Sequence, residues 1–241
     1  MTYLDPRTGW TSENWLICRL LEDAVRAWAP QARGRLLDVG CGHRPYEPHF
    51  RRHVDRYVGL EFPVTGGSRR GDVHGSGLAL PFADATFDTV VSFQVLEHVP
   101  DPQRMIDECV RVLRPGGRLL VTANFLWGLH EEPHDFFRFS KYGFELLLAR
   151  AGADEVDVRP MAGAWVTTGQ RIAYALYRHI GAWPAPLRVP PLFLVQWCGG
   201  ALDRIDRWDA DAWNYLASGT KPLRSTGANR VEPSAPSVRL R

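Results

Sequence analysis

The sequence predicts an α/β fold, a sheet of short buried strands with helices between them. Three observations carry this. The apolar run Leu36, Leu37, Val39 leads straight into a Gly-x-Gly turn at Gly40–Gly42. A second β-prone run, Tyr57–Leu60, ends in an acid, Glu61, about twenty residues past that turn. Continuous β-prone runs at Phe87–Phe93 and Arg118–Ala123 flank a stretch of helical periodicity.

The elements follow in order. Thr11 or Ser12 caps a first helix, in which Trp15, Leu16, Leu20, Val25 and Trp28 recur at helical spacing and which Pro30 ends. That helix reads as packing on the sheet or as a lid over the ligand. The first strand is Leu36–Val39. Gly40 and Gly42 can take positive φ and have no Cβ, so a ligand can come close to the main chain. The next helix starts near Pro45, because proline suits the first helical position. Tyr57–Leu60 is the second strand, and Pro63–Gly77 is loop with at most a short third strand near Asp72. Phe87–Phe93 is a central strand.

Asp101 and Pro102 start a helix whose buried stripe is Met105, Ile106, Cys109, Val110 and Leu113. Pro115-Gly116-Gly117 breaks it, and Arg118–Ala123 is the fifth strand. Phe125–Ser140, FLWGLHEEPHDFFRFS, is a polar-aromatic loop leaving that strand's C-terminal end. Ser140 caps a helix over Tyr142–Ala151, which Gly152 ends. Glu155–Val158 is a sixth strand. Met161–Arg207 is dense in aromatics dotted with arginine. It reads as two helices, around Thr168–Ile180 and Leu192–Ile205, separated by the proline-rich Trp183–Pro191. Trp213–Ser218 is a seventh strand, and the chain after Pro222 has a disordered composition.

The order LLDVGCG, YVGLE, LPFADATFDTVVSFQVLEHV and LRPGGRLLVTAN resembles the class I S-adenosylmethionine-dependent methyltransferases, in particular a small-molecule (methyltransferase type 11-like) branch with a Val-Leu-Glu-His segment. The resemblance covers roughly Leu36–Pro160 and more loosely Trp213–Pro222. It implies a Rossmann-like, seven-stranded, mostly parallel sheet with helices on both faces, an antiparallel last strand and a helical insertion between strands six and seven. The chain then divides into an N-terminal helical segment (1–30), a cofactor-binding core (31–160), the insertion (161–207), the last core strand (208–222) and a tail (223–241).

The resemblance implies S-adenosyl-L-methionine as cofactor. The cofactor residues would be Asp38, Gly40, Cys41 and Gly42 in the first turn, Glu61 on the ribose, Ser76, Gly77 and Leu78 at the adenine, and Phe93 and Gln94 near the methionine part. Ser76 departs from the acid usual at its position. The reaction would be an in-line methyl transfer to a small-molecule or lipid- or sugar-linked acceptor. Alignment of donor and acceptor would supply most of the rate, on the order of 7–11 kcal/mol. A general base helps only where the acceptor must lose a proton. His134, beside Asp135 and near Arg138, His98 after Glu97, and His130 are the candidates.

Other classes fit less well. Pro45 stands where a dinucleotide-binding fingerprint needs its third glycine, which argues against an NAD-dependent dehydrogenase. A non-catalytic binding module is a further alternative, and intact Gly40, Gly42 and Glu61 argue against it. The net charge of +2, with 45% hydrophobic and 23% charged residues, describes an ordinary globular protein. The pairs Arg51/Arg52 and Arg69/Arg70 come with no nucleic-acid module, so no nucleic acid is expected. Cys18, Cys41, Cys109 and Cys198 have no metal spacing, so no metal is expected, and a reducing cytoplasm suits them. No signal pattern or spanning run is read. The aromatic segment 161–207 is expected to lie on a membrane surface, to cover the acceptor, or to pack in the core or a homodimer.

Overall fold

The computed structural model describes residues 8–63 and 71–223. Arg69, Arg70 and the tail from 224 onward lie outside the described residues. Seven strands form one sheet: β1 (Arg35–Val39), β2 (Arg56–Glu61), β3 (Val73–His74), β4 (Phe87–Phe93), β5 (Leu113–Asn124), β6 (Asp154–Pro160) and β7 (Asn214–Thr220). Their spatial order is β3-β2-β1-β4-β5-β7-β6. The first five pair in parallel, and β7 runs antiparallel between β5 and β6. The order reverses between β1 and β4, which puts the ligand crevice at the carboxyl ends of those two strands.

Both faces of the sheet are covered. On one side lie α1 (Trp15–Trp28) and the short α2 (Glu47–Phe50), where Ile17, Leu21, Val25 and Phe50 pack on Leu36, Val91, Leu120 and Trp213. On the other lie α3 (Pro102–Val112) and α4 (Lys141–Arg150), where Met105, Ile106, Phe144 and Leu148 pack on Leu37, Val58, Val90 and Leu119. The central strands β1 and β4 are buried on both faces, so they read as apolar runs rather than alternating ones. Asp101 accepts the Arg104 N–H at 3.0 Å, and Ser140 accepts the Gly143 N–H at 3.2 Å, so both predicted caps form.

Three expectations need correction. First, neither Thr11 nor Ser12 caps α1. Ser12 Oγ accepts from Asn14 N–H, and the Leu16 N–H at the helix start donates instead to Gln196 Oε1 at 3.0 Å. A helix leaves its first N–H groups without internal partners, and here a distant glutamine supplies one.

Second, β5 begins at Leu113 rather than Arg118. Leu113 pairs with Phe87 and Arg118 with Thr89, so Arg114–Gly117 loops out of the ladder. Gly116 makes the turn at φ +76, and Gly116 N–H and Gly117 C=O pair with Lys221 of the chain just after β7.

Third, 183–191 does not separate two helices. Helix α5 (Ala164–Ile180) is followed almost at once by α6 (Ala185–Ile205), which contains Pro190 and Pro191. Each proline removes a helix donor. The helix persists because it is held against α5, with Leu192 buried against Ala173 and Ile180. The two axes approach closely where Gly169 meets Gly199. A Cβ on Gly199 would lie 2.8 Å from the Trp165 carbonyl oxygen.

Candidate functional site

The crevice begins at the turn after β1. Gly40 and Gly42 take φ +75 and +50, and a Cβ on Gly40 would come within 2.5 Å of Val95 Cγ2. The Gly42 N–H donates to Glu61 Oε2 at 2.6 Å, and Glu61 Oε1 accepts the Phe62 N–H at 3.1 Å. The acid at the end of β2 is therefore tied to the glycine turn at the end of β1. Beneath the turn, Asp38 is fully buried and accepts a hydrogen bond from the Tyr57 hydroxyl. Burial pushes the Asp38 carboxyl up to about 7, against the Tyr57 hydrogen bond. Cys41 is also buried, and its thiol is pushed up to about 12, so it fills space without reacting.

Gly59 leaves room for this turn. A Cβ there would meet Cys41 Sγ at 2.7 Å and Arg44 Nε at 3.0 Å. Arg44 in turn binds Asp72 at 2.8 Å, and Asp72 accepts the Gly59 N–H at 2.9 Å. These contacts outweigh partial burial and hold the Asp72 carboxyl below the ordinary value. Asp72 thus braces β2.

In the segment after β3, Ser76 Oγ accepts the Leu78 N–H at 3.1 Å, and the Leu78 carbonyl takes Arg104 Nε at 2.6 Å. Ser76 keeps its hydroxyl proton to donate. The next segment is pinned by Arg111, which reaches Glu108, Asp84 and the carbonyls of Leu80 and Phe82. Phe93 does not turn its ring to the crevice. The ring is buried 4.7 Å from Tyr46 and 6.1 Å from Phe50, on the same strand face as Val91. Gln94 follows β4 in the left-handed region at φ +56, with Nε2 bound to Thr122 Oγ1 at 2.9 Å. Its Oε1 is buried with no hydrogen-bond partner among the described residues.

Beyond Gln94 and Val95, the chain turns through Leu96–His98 and meets the loop after β5. Phe136 and Phe137 N–H groups donate to the Glu97 carbonyl, which fastens that loop over the strand end. Two of the three candidate histidines come together here. The His98 and His130 rings stand 4.8 Å apart, edge to face. His134 joins them only through its main chain: its carbonyl oxygen sits 2.7 Å from His98 Nδ1, while the residue itself is exposed. Asp135 turns away from its neighbour His134. It accepts the His130 N–H at 2.9 Å, lies 3.4 Å from His130 Nδ1, and takes both Arg138 amino groups at 2.7 Å. Burial would raise Asp135, but those hydrogen bonds hold it down at about 2. Burial lowers the His130 pKa, with Asp135 opposing.

Glu97, Asn124 and the Asp135–Arg138 pair belong to this cluster, and sequence reasoning did not assign them a role. Glu97 is fully buried, and Oε1 accepts from Asn124 Nδ2 at 2.8 Å. Burial pushes its carboxyl up to about 8. The signal was an acid set inside the apolar run Val95–Val99, where a charged residue is out of place unless it has work to do.

Comparisons with known proteins agree with this architecture. Residues 37–121 match the methyltransferase domain family Methyltransf_11. An uncharacterised methyltransferase of Mycobacterium sp. (strain JLS) is 42% identical over 100 residues, which is 38% of this chain and 39% of the relative. A probable S-adenosylmethionine-dependent methyltransferase of Mycolicibacterium smegmatis is 36% identical over 123 residues, 48% of each chain. The chain thus spans less than half the length of these curated relatives. Among solved structures, the [4+2]-cyclase SpnF aligns over 91% of this chain and 86% of its own, at TM-score 0.58 and 21% identity. A Haemonchus contortus phosphoethanolamine N-methyltransferase in complex with S-adenosyl-L-methionine aligns over 92% and 60%, at TM-score 0.55 and 16% identity. These two likenesses are of fold. The domain match begins in β1, at the strand that feeds the glycine turn, and ends in β5, so over residues 37–121 the chain is similar to S-adenosylmethionine-dependent methyltransferases.

Proposed function

We propose that the protein transfers a methyl group from S-adenosyl-L-methionine to a nucleophilic oxygen or nitrogen of a small-molecule or lipid- or sugar-linked acceptor. The observation that carries this is the joining of Gly42 to Glu61 at 2.6 Å, on the same sheet edge as the His98–His130 pair. The first gives a glycine cradle and a ribose acid; the second gives a proton acceptor for the incoming group. The residues fit the cofactor: Gly40 and Gly42 let the main chain turn at positive φ, Glu61 offers two oxygens to the ribose hydroxyls, and Ser76 offers its hydroxyl to adenine.

The cofactor supplies a methyl on a cationic sulfur, and the carbon–sulfur bond breaks as the acceptor–carbon bond forms. The chain's residues align the acceptor opposite the sulfur and exclude water. Among the histidines, His98 and His130 hold the ring positions suited to taking a proton from an acceptor hydroxyl. Both rings turn Nδ1 toward a backbone carbonyl, that of His134 for His98 and that of Gly128 for His130 at 3.2 Å. A carbonyl only accepts, so Nδ1 carries the proton and each Nε2 keeps its lone pair. His134 serves by orienting His98.

The exposed side of α6 and of the turn before it bears on the acceptor. Trp183, Leu187, Leu194, Trp197 and Ile205 are all more than half exposed, with Arg188 and Arg204 beside them. Such a face suits an interfacial position on a membrane holding a lipid-linked acceptor. Among the described residues no helix is long and apolar enough to cross a membrane. Flotation with anionic vesicles tests this part, and a chain that stays at the bottom of the gradient at low salt removes it.

The fold also serves a [4+2]-cyclase, so a use other than methyl transfer is the second reading. Parallel calorimetric titration with S-adenosylmethionine and NAD, followed by incubation of the labelled methyl donor with acceptor extracts, tests the first. Binding of NAD alone would overturn it, as would cofactor binding with no label transferred to any acceptor.

A further inference from the structure

We propose that Glu97, His98 and His130 form a site for one divalent first-row transition ion at the carboxyl edge of the sheet. Each residue offers one ligand atom, a carboxylate oxygen of Glu97 and a ring nitrogen each of His98 and His130. The Glu97 side chain is completely buried, and its Oε2 has no hydrogen-bond partner among the described residues, while Oε1 is held by Asn124. A buried carboxylate oxygen without a donor is costly, and a cation resolves it.

The two imidazoles are fixed for ligation. Each Nδ1 faces a main-chain carbonyl, so each Nε2 presents a lone pair; that of His130 faces the Asn124 amide nitrogen at 3.4 Å, which an ion would displace. A ligating histidine almost always gives its other ring N–H to such an acceptor. Asp135, beside His130 Nδ1 and locked by Arg138, holds that ring from behind. Candidate donor atoms of the three residues lie within 4.8 Å of one another. Some point then lies within about 2.8 Å of all three, so a shift of well under 1 Å per side chain reaches the usual bond length of about 2.1 Å.

Two imidazoles and a carboxylate suit zinc, manganese or iron(II) and leave positions open. Glu131, with its carboxylate 3.8 Å from His98 Nε2 and its backbone in the left-handed region at φ +52, stands where a further ligand would enter.

This deepens the proposed methyl transfer and rests on it for its chemical meaning, with the ion replacing the two ring nitrogens, now its ligands, as the group that activates the acceptor hydroxyl. An acceptor hydroxyl drawn to the ion would lose its proton to solvent near neutral pH and so meet the methyl as a stronger nucleophile. The acceptor class is then one with an oxygen able to ligate a divalent ion.

The test uses the full chain after chelator treatment and dialysis. Zinc, manganese and cobalt(II) are titrated by calorimetry, and cobalt is followed by its visible absorption. The expected result is one ion per chain, with His98→Ala and His130→Ala each weakening binding at least about ten-fold and His179→Ala, on the exposed face of α5, leaving it unchanged. Glu97→Gln is a further arm, with far-ultraviolet circular dichroism reporting that each variant is folded. No saturable binding by the parent chain would overturn the proposal, and so would binding that survives in the folded His98→Ala/His130→Ala double variant. S-adenosylhomocysteine is titrated in the same series without metal. If it binds while the metals do not, the metal site fails and the methyltransferase reading stands. If the metals bind and it does not, the reverse holds.

Discussion

Replacing Glu61 with alanine should weaken the cofactor selectively at its ribose. The carboxylate now accepts Gly42 N–H at 2.6 Å and Phe62 N–H at 3.1 Å, and each oxygen keeps a further lone pair. A hydrogen bond to a charged group contributes about 1.5–3 kcal/mol. Two ribose hydroxyls therefore account for about 3 kcal/mol at the lower end, the end suited to a half-buried side chain that water can reach. That corresponds to an increase of roughly 100-fold in the dissociation constant of S-adenosylhomocysteine, measured by calorimetry. Glu61→Gln keeps an acceptor oxygen but no charge, and should lose about ten-fold. A dideoxyribose analogue of S-adenosylhomocysteine supplies the control: parent and Glu61→Ala should bind it within about three-fold of each other, since neither has a ribose hydroxyl to hold. The midpoint of thermal unfolding should fall by only about 2–4 °C, the shift about 1 kcal/mol gives a chain of this size. The reasoning is refuted if Glu61→Ala binds S-adenosylhomocysteine as the parent does, or loses as much affinity for the dideoxy analogue.

Other outcomes follow from the same geometry. Gly59→Ala forces a Cβ to within 2.7 Å of Cys41 Sγ, so it should destabilise by about 1–3 kcal/mol, read from denaturant unfolding, and weaken the cofactor at the same time. Asp38 has its carboxyl raised to about 7 in the folded chain, so the folded state retains a proton that the unfolded chain has already lost. Its part of the stability is intact below pH 4, falls as pH rises between about 4 and 7, and is level above that; Asp38→Asn should remove that part of the slope in unfolding curves taken across the range. Gly199→Val drives a side chain against the Trp165 carbonyl, 2.8 Å from the first added carbon, so it should split α6 from α5 and lower the melting midpoint. Arg138→Leu leaves the buried Asp135 carboxylate without its strongest partner. It should cost about 3–5 kcal/mol, less whatever solvent regains, and should appear as faster proteolysis of the loop after β5.

Much of the sheet was legible because each strand is a local run. Phe87–Phe93 has the bounds the sequence predicts, and the caps at Asp101 and Ser140 were readable because a cap and its partner lie within three residues. What was not legible depends on distance in the chain. Gln196 supplies the acceptor for a helix end 180 residues earlier, and nothing near Leu16 announces it. The start of β5 hides behind Pro115-Gly116-Gly117, which looks like an ending until Lys221 closes the turn from beyond β7. In the site, adjacency carried no information about contact. His134 and Asp135 are neighbours in sequence, yet the loop sends Asp135 to His130 and leaves the His134 ring outside. Phe93 follows the pleat: the residue that ends a strand at the crevice need not point into it.

The contacts at the amino end of α1 have a mechanical consequence. Glu13 C=O holds Gln170, Asn14 holds the Tyr174 hydroxyl, and Ser12 C=O and Leu16 N–H hold Gln196; both glutamines are completely buried. The start of the chain and the long hairpin of α5 and α6 are thereby riveted into a single plate. The edge-to-face contact of Trp127 with Tyr174 ties that plate to the histidine-bearing loop. The hairpin cannot swing without the start of α1, and removing residues 12–16 would unfasten it rather than merely shorten the chain.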